Sequence, residues 1–222
     1  MKKVLINGAN GKMGQAIIKI IEGDYSLGLK IAALRDNGLN ECDENVDLVI
    51  DFSLPEGATE AFDLAKKNKA AFLTGTTNLP AAFVAKLQEE KEIPVFYSSN
   101  VSIGVYQFAQ LLKQAIKLYP NYTRKLHEVH HTQKKDAPSG TAKDLAKVVN
   151  LATQDITYER IGKTPGTHTF TLISPTGDEE IILTHKALDR VLFAASAVQV
   201  AKWLTTQKAG FYNMQAFMES FK

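Results

Sequence analysis

MKKVLINGANGKMG, residues 1–14, is the stretch on which the fold turns. Val4, Leu5 and Ile6 make the short apolar run of a buried strand, read as 3–7, and the apolar spacing from Gly11 to Ile21 is helical. Between them stand Gly8, Gly11 and Gly14, a G-x-x-G-x-x-G variant of the dinucleotide fingerprint. Residues without a Cβ permit a tight turn here. They let the backbone from Gly8 through Ala9, Asn10, Gly11, Lys12 and Met13 approach a pyrophosphate at the positive end of a helix. Three glycines after an apolar run also suit a plain turn; their place at the opening of a βαβ unit favours the dinucleotide.

Outward from this loop, short apolar runs keep alternating with helix-like segments. Strands are expected at 29–34, 46–52, 70–74 and 94–97, and helices at 57–68 and 80–91. That alternation predicts an α/β fold, a Rossmann-like doubly wound parallel sheet. From about Val101 the pattern changes to a long amphipathic stretch reaching Leu118, the polar run HEVHHTQKKDAPSGTA at 127–142, and a helical pattern through Val149. Runs 169–173 and 180–184 flank Pro175, Thr176, Gly177 and Asp178 as two strands joined by a turn. Helical spacing returns over 193–206 and 214–221, interrupted by Gly210. An α+β domain with a mixed or antiparallel sheet is therefore expected at 102–190. The closing helices, 191–222, are expected to join the first domain, 1–101, whose own helices are too few to cover both faces of a parallel sheet.

Composition bounds the partners. The chain has 222 residues, 45% of them hydrophobic, and 26 Lys and Arg against 24 Asp and Glu give a net charge of +2. So small an excess gives no ground for a nucleic acid or an anionic membrane as partner. One cysteine, Cys42, rules out an intramolecular disulfide and suits a reducing compartment. Three apolar residues near the N-terminus fall far short of a signal-peptide core, and no apolar run is long enough to span a bilayer. A cytoplasmic protein is expected.

At the end of the second expected strand, an acidic residue accepts from the ribose 2′-OH of NAD, whereas an arginine suits the 2′-phosphate of NADP. Here Arg35 and Asp36 are adjacent, 21 residues beyond Gly14. The guanidinium fork matches a phosphate, so NADPH is favoured with NADH still usable, unless both are ordinary solvated charges. Gly75, Thr76 and Thr77 follow one expected strand, and Ser98, Ser99, Asn100 and Val101 follow the next. Ligands of open α/β sheets sit beyond such strand ends, although spacing alone leaves plain turns open.

The polar run holds His127, His130 and His131, three of five histidines, with Lys134, Lys135 and Asp136 close behind. Imidazole moves protons near working pH, and Lys134 can present charge to an anion. Ser139, Gly140 and Thr141, opening a helix, would aim backbone N–H groups at a carboxylate. His127, Glu128 and His131 also fit H-E-x-x-H, the zinc-hydrolase motif, which needs a helix. Tyr122, Leu126 and Val129 have helical spacing, but Pro120 and Pro138 bracket the segment and no third ligand is evident, so no metal is expected. A noncatalytic dinucleotide sensor would keep the glycine loop and have no use for His130 and Lys134.

The run E-V-H-H-T-Q-K-K-D-A-P-S-G-T-A resembles the signature of the 4-hydroxy-tetrahydrodipicolinate reductases, E-x-H-H-x-x-K-x-D-x-P-S-G-T-A, at every fixed position. DFSLPEG at Asp51, GTT at Gly75, SSNVSIGV at Ser98 and THKALDR ending in Arg190 follow the family's order, so the resemblance spans nearly the whole chain. It implies reduction of a small cyclic dicarboxylate to tetrahydrodipicolinate with hydride from NADPH or NADH, in lysine and diaminopimelate biosynthesis. By motif position it implies His130 as proton donor or acceptor, Lys134 as proton donor or charge stabiliser, and His131, Gly140 and Thr141 as holders of the substrate carboxylates. It further implies a homotetramer, with a homodimer as the alternative because the chain is shorter than typical members. The shortening falls after Asn37 and between Arg160 and His168, where 160–166 is expected to form an abbreviated piece of the interface sheet. Arg35 also stands where the family's acidic residue is expected.

Overall fold

The structure is a computed structural model and describes residues 1–36 and 45–221. Cys42, and the shortened stretch after Asn37, lie outside the described residues. The chain divides into two compact units, Met1–Val101 with Val191–Lys222, and Ser102–Arg190.

In the first unit, β1 (Lys2–Asn7), β2 (Leu29–Arg35), β3 (Leu48–Asp51), β4 (Ala71–Thr74) and β5 (Pro94–Tyr97) are all parallel. Past Lys2 and Lys3, the central strands are apolar up to their C-terminal residues, Asn7, Asp51 and Thr74, because both faces are covered. Helices α2 (Pro55–Asn68) and α3 (Ala81–Gln88) bring Ala58, Phe62, Ala65, Phe83 and Leu87 against Leu5, Val49, Phe72 and Val95. Successive strand residues point to opposite faces, so Val4, Ile6, Leu48, Ile50 and Leu73 bury the other way. Helix α1 (Lys12–Gly23) packs there against a late helix, α6 (Val191–Leu204), which also touches β4 and β5.

The strand order is β10-β5-β4-β3-β1-β2, where β10 is Gly210–Tyr212. The sheet therefore grows in one direction from β1 to β2 and in the other from β1 to β3, which places the topological switch at the C-terminal end of β1. The break expected at Gly210 is in fact a sixth strand: Gly210 has φ 143°, and Gly210–Tyr212 pairs in parallel with Pro94–Phe96. Helix α7 (Met214–Glu219) follows it.

The second unit has a mixed four-stranded sheet of order β7-β6-β8-β9, formed by β6 (Thr123–His130), β7 (Ile156–Arg160), β8 (Gly166–Ile173) and β9 (Glu180–Ala187). Helices α4 (Ile103–Leu118) and α5 (Gly140–Val148) supply Phe108, Leu112, Ala142 and Leu145 to a core completed by Leu126, Ile156, Phe170 and Leu172. Residues 122–129 are not helical despite their spacing, because Thr123–His130 pairs with strands on both sides. Nor does 160–166 form a piece of sheet: Arg160 ends β7 and Gly166 begins β8.

Candidate functional site

The glycine loop lies at the switch point of the first unit. Gly8 has φ +81°, and a Cβ there would stand 2.3 Å from the Phe52 carbonyl oxygen. A Cβ on Gly14 would stand 2.2 Å from the Gly8 carbonyl oxygen, so helix and turn meet backbone to backbone. Gly11 is the N-cap of α1 and provides no side-chain acceptor. The helix amides that begin at Lys12 and Met13 thus face an anion-ready end. Ala9 is buried and its N–H donates to the Arg35 carbonyl at 3.1 Å, whereas the Asn10 N–H donates to Asp36 Oδ2 at 3.1 Å. The Ala9 and Asn10 amides of this cradle are thus already engaged, and it is the helix end at Lys12 and Met13 that fits a pyrophosphate.

Beneath the cradle, fully buried Asp51 ties three strand ends together. It accepts from Asn7 Nδ2 at 2.7 Å, Ser53 Oγ at 2.5 Å, Thr74 Oγ1 at 2.7 Å and Thr76 Oγ1 at 2.7 Å. The Thr76 hydroxyl also accepts from the Ser53 N–H, which ties that side chain into the scaffold. Gly75 leaves room for the Phe52 ring, 2.2 Å from where its Cβ would be, while Thr77 is exposed. In the next loop the Ser98 hydroxyl donates to the Asn100 carbonyl at 2.6 Å; Ser99 is exposed and Val101 buried. Arg35 lines a cleft of about 270 Å³ with Asn7, Ser53, Leu54, Glu56, Gly57 and Glu60, and its Nη2 is ion-paired with Glu60.

The histidine segment lies in the second unit, at the C-terminal end of β6. Glu128 and His130 are two residues apart and share the buried face, and His168 on β8 stands directly opposite Glu128. Glu128 Oε2 is 3.3 Å from His130 Nδ1, without hydrogen-bond alignment, and 3.6 Å from His168 Nε2, just outside bonding distance. Its carboxylate accepts from the Ser139 N–H at 2.9 Å, from the Ser139 hydroxyl, and from Arg160 Nη2 at 3.0 Å. Burial alone would raise the Glu128 carboxyl. The His168 ring, the Ser139 hydroxyl and amide, and His130, which is charged only in acid, overcome this and hold it well below the carboxylate range.

Burial pushes the His130 imidazole down to about 4, against the pull of Glu128 and with the help of His168, Lys134 and Arg160. At neutral pH it is uncharged. A carboxylate on the Nδ1 side favours the Nδ1–H tautomer and leaves a lone pair on Nε2. That Nε2 lies against Gly166, where a Cβ would approach to 2.9 Å. Lys134 Nζ pairs with Asp136 Oδ1 at 2.7 Å, and Arg160 Nη2 donates to the Asp136 carbonyl at 2.7 Å, anchoring the loop. His131 and Thr141 are half-buried; exposed Gly140 opens α5 with free space where a Cβ would sit.

The alternative motif fails and one expectation is overturned here. His127, Glu128 and His131 cannot form H-E-x-x-H, since β6 sends His127 to the face opposite Glu128, where its Nδ1 is 2.8 Å from Thr157 Oγ1. The Ser139 N–H is not offered to a ligand, because Glu128 takes it. The Ser139 hydroxyl caps α5 by accepting from the Ala142 N–H. Sequence reasoning also missed Arg160, His168 and Glu60, which reach their partners only through sheet pairing or helix packing.

A parallel sheet with a glycine cradle at its switch point, and a separate unit bearing an ionised carboxylate beside a neutral imidazole and a lysine, define a dinucleotide-dependent oxidoreductase. The model for "Dihydrodipicolinate reductase, N-terminus" matches residues 2–101, and that for "Dihydrodipicolinate reductase, C-terminus" matches 104–218. The chain belongs to the dihydrodipicolinate reductase family, and its cofactor is a nicotinamide dinucleotide. The 4-hydroxy-tetrahydrodipicolinate reductase of Rickettsia bellii is 36% identical, with 97% of this chain and 94% of the relative aligned. The enzyme of that name from Campylobacter jejuni is 31% identical over 98% and 99% of the two chains. Among solved structures, dipicolinate-bound dihydrodipicolinate reductase from Paenisporosarcina sp. TG-14 has the same fold, with a TM-score of 0.77 at 16% identity, covering 98% of this chain and 99% of that one. No helix among the described residues is long and apolar enough to cross a membrane.

Proposed function

We propose that the chain reduces 4-hydroxy-tetrahydrodipicolinate to tetrahydrodipicolinate with hydride from NAD(P)H, in cytoplasmic lysine and diaminopimelate synthesis. The observation that carries this reading is the grouping of neutral His130 and cationic Lys134 on the signature segment, braced by buried Glu128. The substrate loses water to give dihydrodipicolinate, then takes up one hydride and one proton. The nicotinamide supplies the hydride when bound. Electron density moves toward the ring nitrogen as the hydride arrives, and the Lys134 ammonium lowers that barrier by its charge. His130, uncharged beforehand, takes a proton from solvent at Nε2 and passes it to the substrate, while Glu128 acts as a positioning residue that holds the tautomer. His131, Gly140 and Thr141 hold the carboxylates.

In the first unit, Gly8–Met13 holds the pyrophosphate and Arg35 takes the 2′-phosphate, so NADPH is preferred with NADH accepted. The loops at Gly75–Thr77 and Ser98–Val101 border the dinucleotide. The four-stranded sheet, with Ile182 57% exposed on β9, is the surface through which a homotetramer, or a homodimer, assembles. The test is a coupled assay with the upstream synthase, following loss of reduced-nicotinamide absorbance. Absence of turnover with either cofactor in protein that binds NADPH would reject the reaction, and light scattering on the same sample reads the assembly.

A further inference from the structure

Arg35 already has a partner. Its side chain is 13% exposed and paired with Glu60, whose own side chain is 57% exposed, so the guanidinium is fixed and the carboxylate is the member able to swing into water. Glu56 and Glu60 sit four residues apart on one face of α2, and both line the cleft with Arg35. Glu56 lies in the first turn, where an acidic residue complements the helix dipole. Glu60 lies beyond that turn, so helix stability does not account for it. The cleft thus offers one guanidinium against two carboxylates.

We infer that Glu60 is a specificity-determining residue that sets the NADPH-to-NADH ratio by competing with the 2′-phosphate for Arg35. The inference rests on the assignment of Arg35 to that phosphate. A bound NADPH must displace Glu60, leaving two carboxylates near a group that carries about two negative charges. NADH brings only a 2′-hydroxyl and leaves the ion pair standing. A pair whose carboxylate faces water is weak enough to be displaced, so NADPH is accepted at reduced advantage, and Glu60 restrains what Arg35 would otherwise confer.

The test is equilibrium binding of NADPH and NADH, by nucleotide fluorescence in the absence of substrate, to wild type, Glu60→Gln, Arg35→Ala and the double variant. Glu60→Gln keeps shape and hydrogen-bonding capacity, and its melting temperature is checked alongside. Its NADPH-to-NADH affinity ratio should rise by about tenfold, the worth of one charge-assisted hydrogen bond. The rise should shrink in high salt and vanish in the Arg35→Ala background. An unchanged ratio in Glu60→Gln, with a fallen ratio in Arg35→Ala, overturns the competition and leaves the Arg35 assignment intact. Equal loss of both cofactors in Arg35→Ala removes that assignment and the inference with it. A rise that persists without Arg35 shows general repulsion, and likewise overturns the competition.

Discussion

Glu128 Oε2 lies 3.3 Å from His130 Nδ1, two residues along the same buried face of β6. The carboxylate favours one tautomer and opposes the burial that pushes the imidazole down. Glu128→Gln should therefore depress the His130 imidazole further and mix its tautomers, lowering kcat by about tenfold to a hundredfold while NADPH binding is kept. Ring-nitrogen chemical shifts of His130 read the tautomer directly, and an unchanged spectrum with normal kcat would refute the positioning role.

Loss of the acid–base groups should cost more. His130→Ala is expected to lower kcat by roughly a hundredfold to ten-thousandfold. Lys134→Met keeps length and loses charge, so it should rescue nothing relative to Lys134→Ala. His131→Ala should raise KM more than it lowers kcat, because holding a carboxylate is common to ground and transition states. Steady-state kinetics on folded variants separates these outcomes.

Acid should weaken the fold through His130. The imidazole lies near 4 in the folded chain against an ordinary 6.5, so between those values the unfolded chain binds more protons and stability falls as pH falls. Glu128, held low in the folded state, adds loss in the same direction at lower pH. Urea midpoints from pH 7 to pH 4.5 should fall, and His130→Gln should flatten the upper part of that slope. A slope unchanged in the variant would place the titration elsewhere.

Two glycines of α1 should respond with opposite signs. Gly14→Ala drives a Cβ to 2.2 Å from backbone oxygen, so it should destabilise by about 1–3 kcal/mol and abolish NADPH binding. Gly23→Ala meets nothing within 4 Å and should stabilise by about 0.5–1 kcal/mol. Thermal melts with and without NADPH check both.

The elements readable in advance were those whose burial is apolar. Central strands such as 71–74 and 94–97 stand out as short apolar runs, and α1, α2 and α4 by their periodicity. Strand β6 was hidden because its buried face carries Leu126, then Glu128 and His130, so polar residues occupy positions where alternation looks for apolar ones. In β7 only Ile156 is buried, and β10 is three half-buried residues. At the site, His130 and Lys134 were legible because their chemistry is compressed into one run. Glu60 was not, since its partner Arg35 is 25 residues away on another element and no local pattern joins them.

The β10–β5 pairing also has a consequence for biosynthesis. Pro94–Phe96, paired on one side with β4, finds its second neighbour only when Gly210–Tyr212 emerges, after all of Ser102–Arg190 has been made. Through that interval the nascent first unit shows a raw sheet edge, whose unsatisfied N–H and C=O groups invite pairing with another chain. A ribosome stalled before residue 210 would therefore hold a sticky, unfinished sheet, and Gly210–Tyr212 acts as its closing seam.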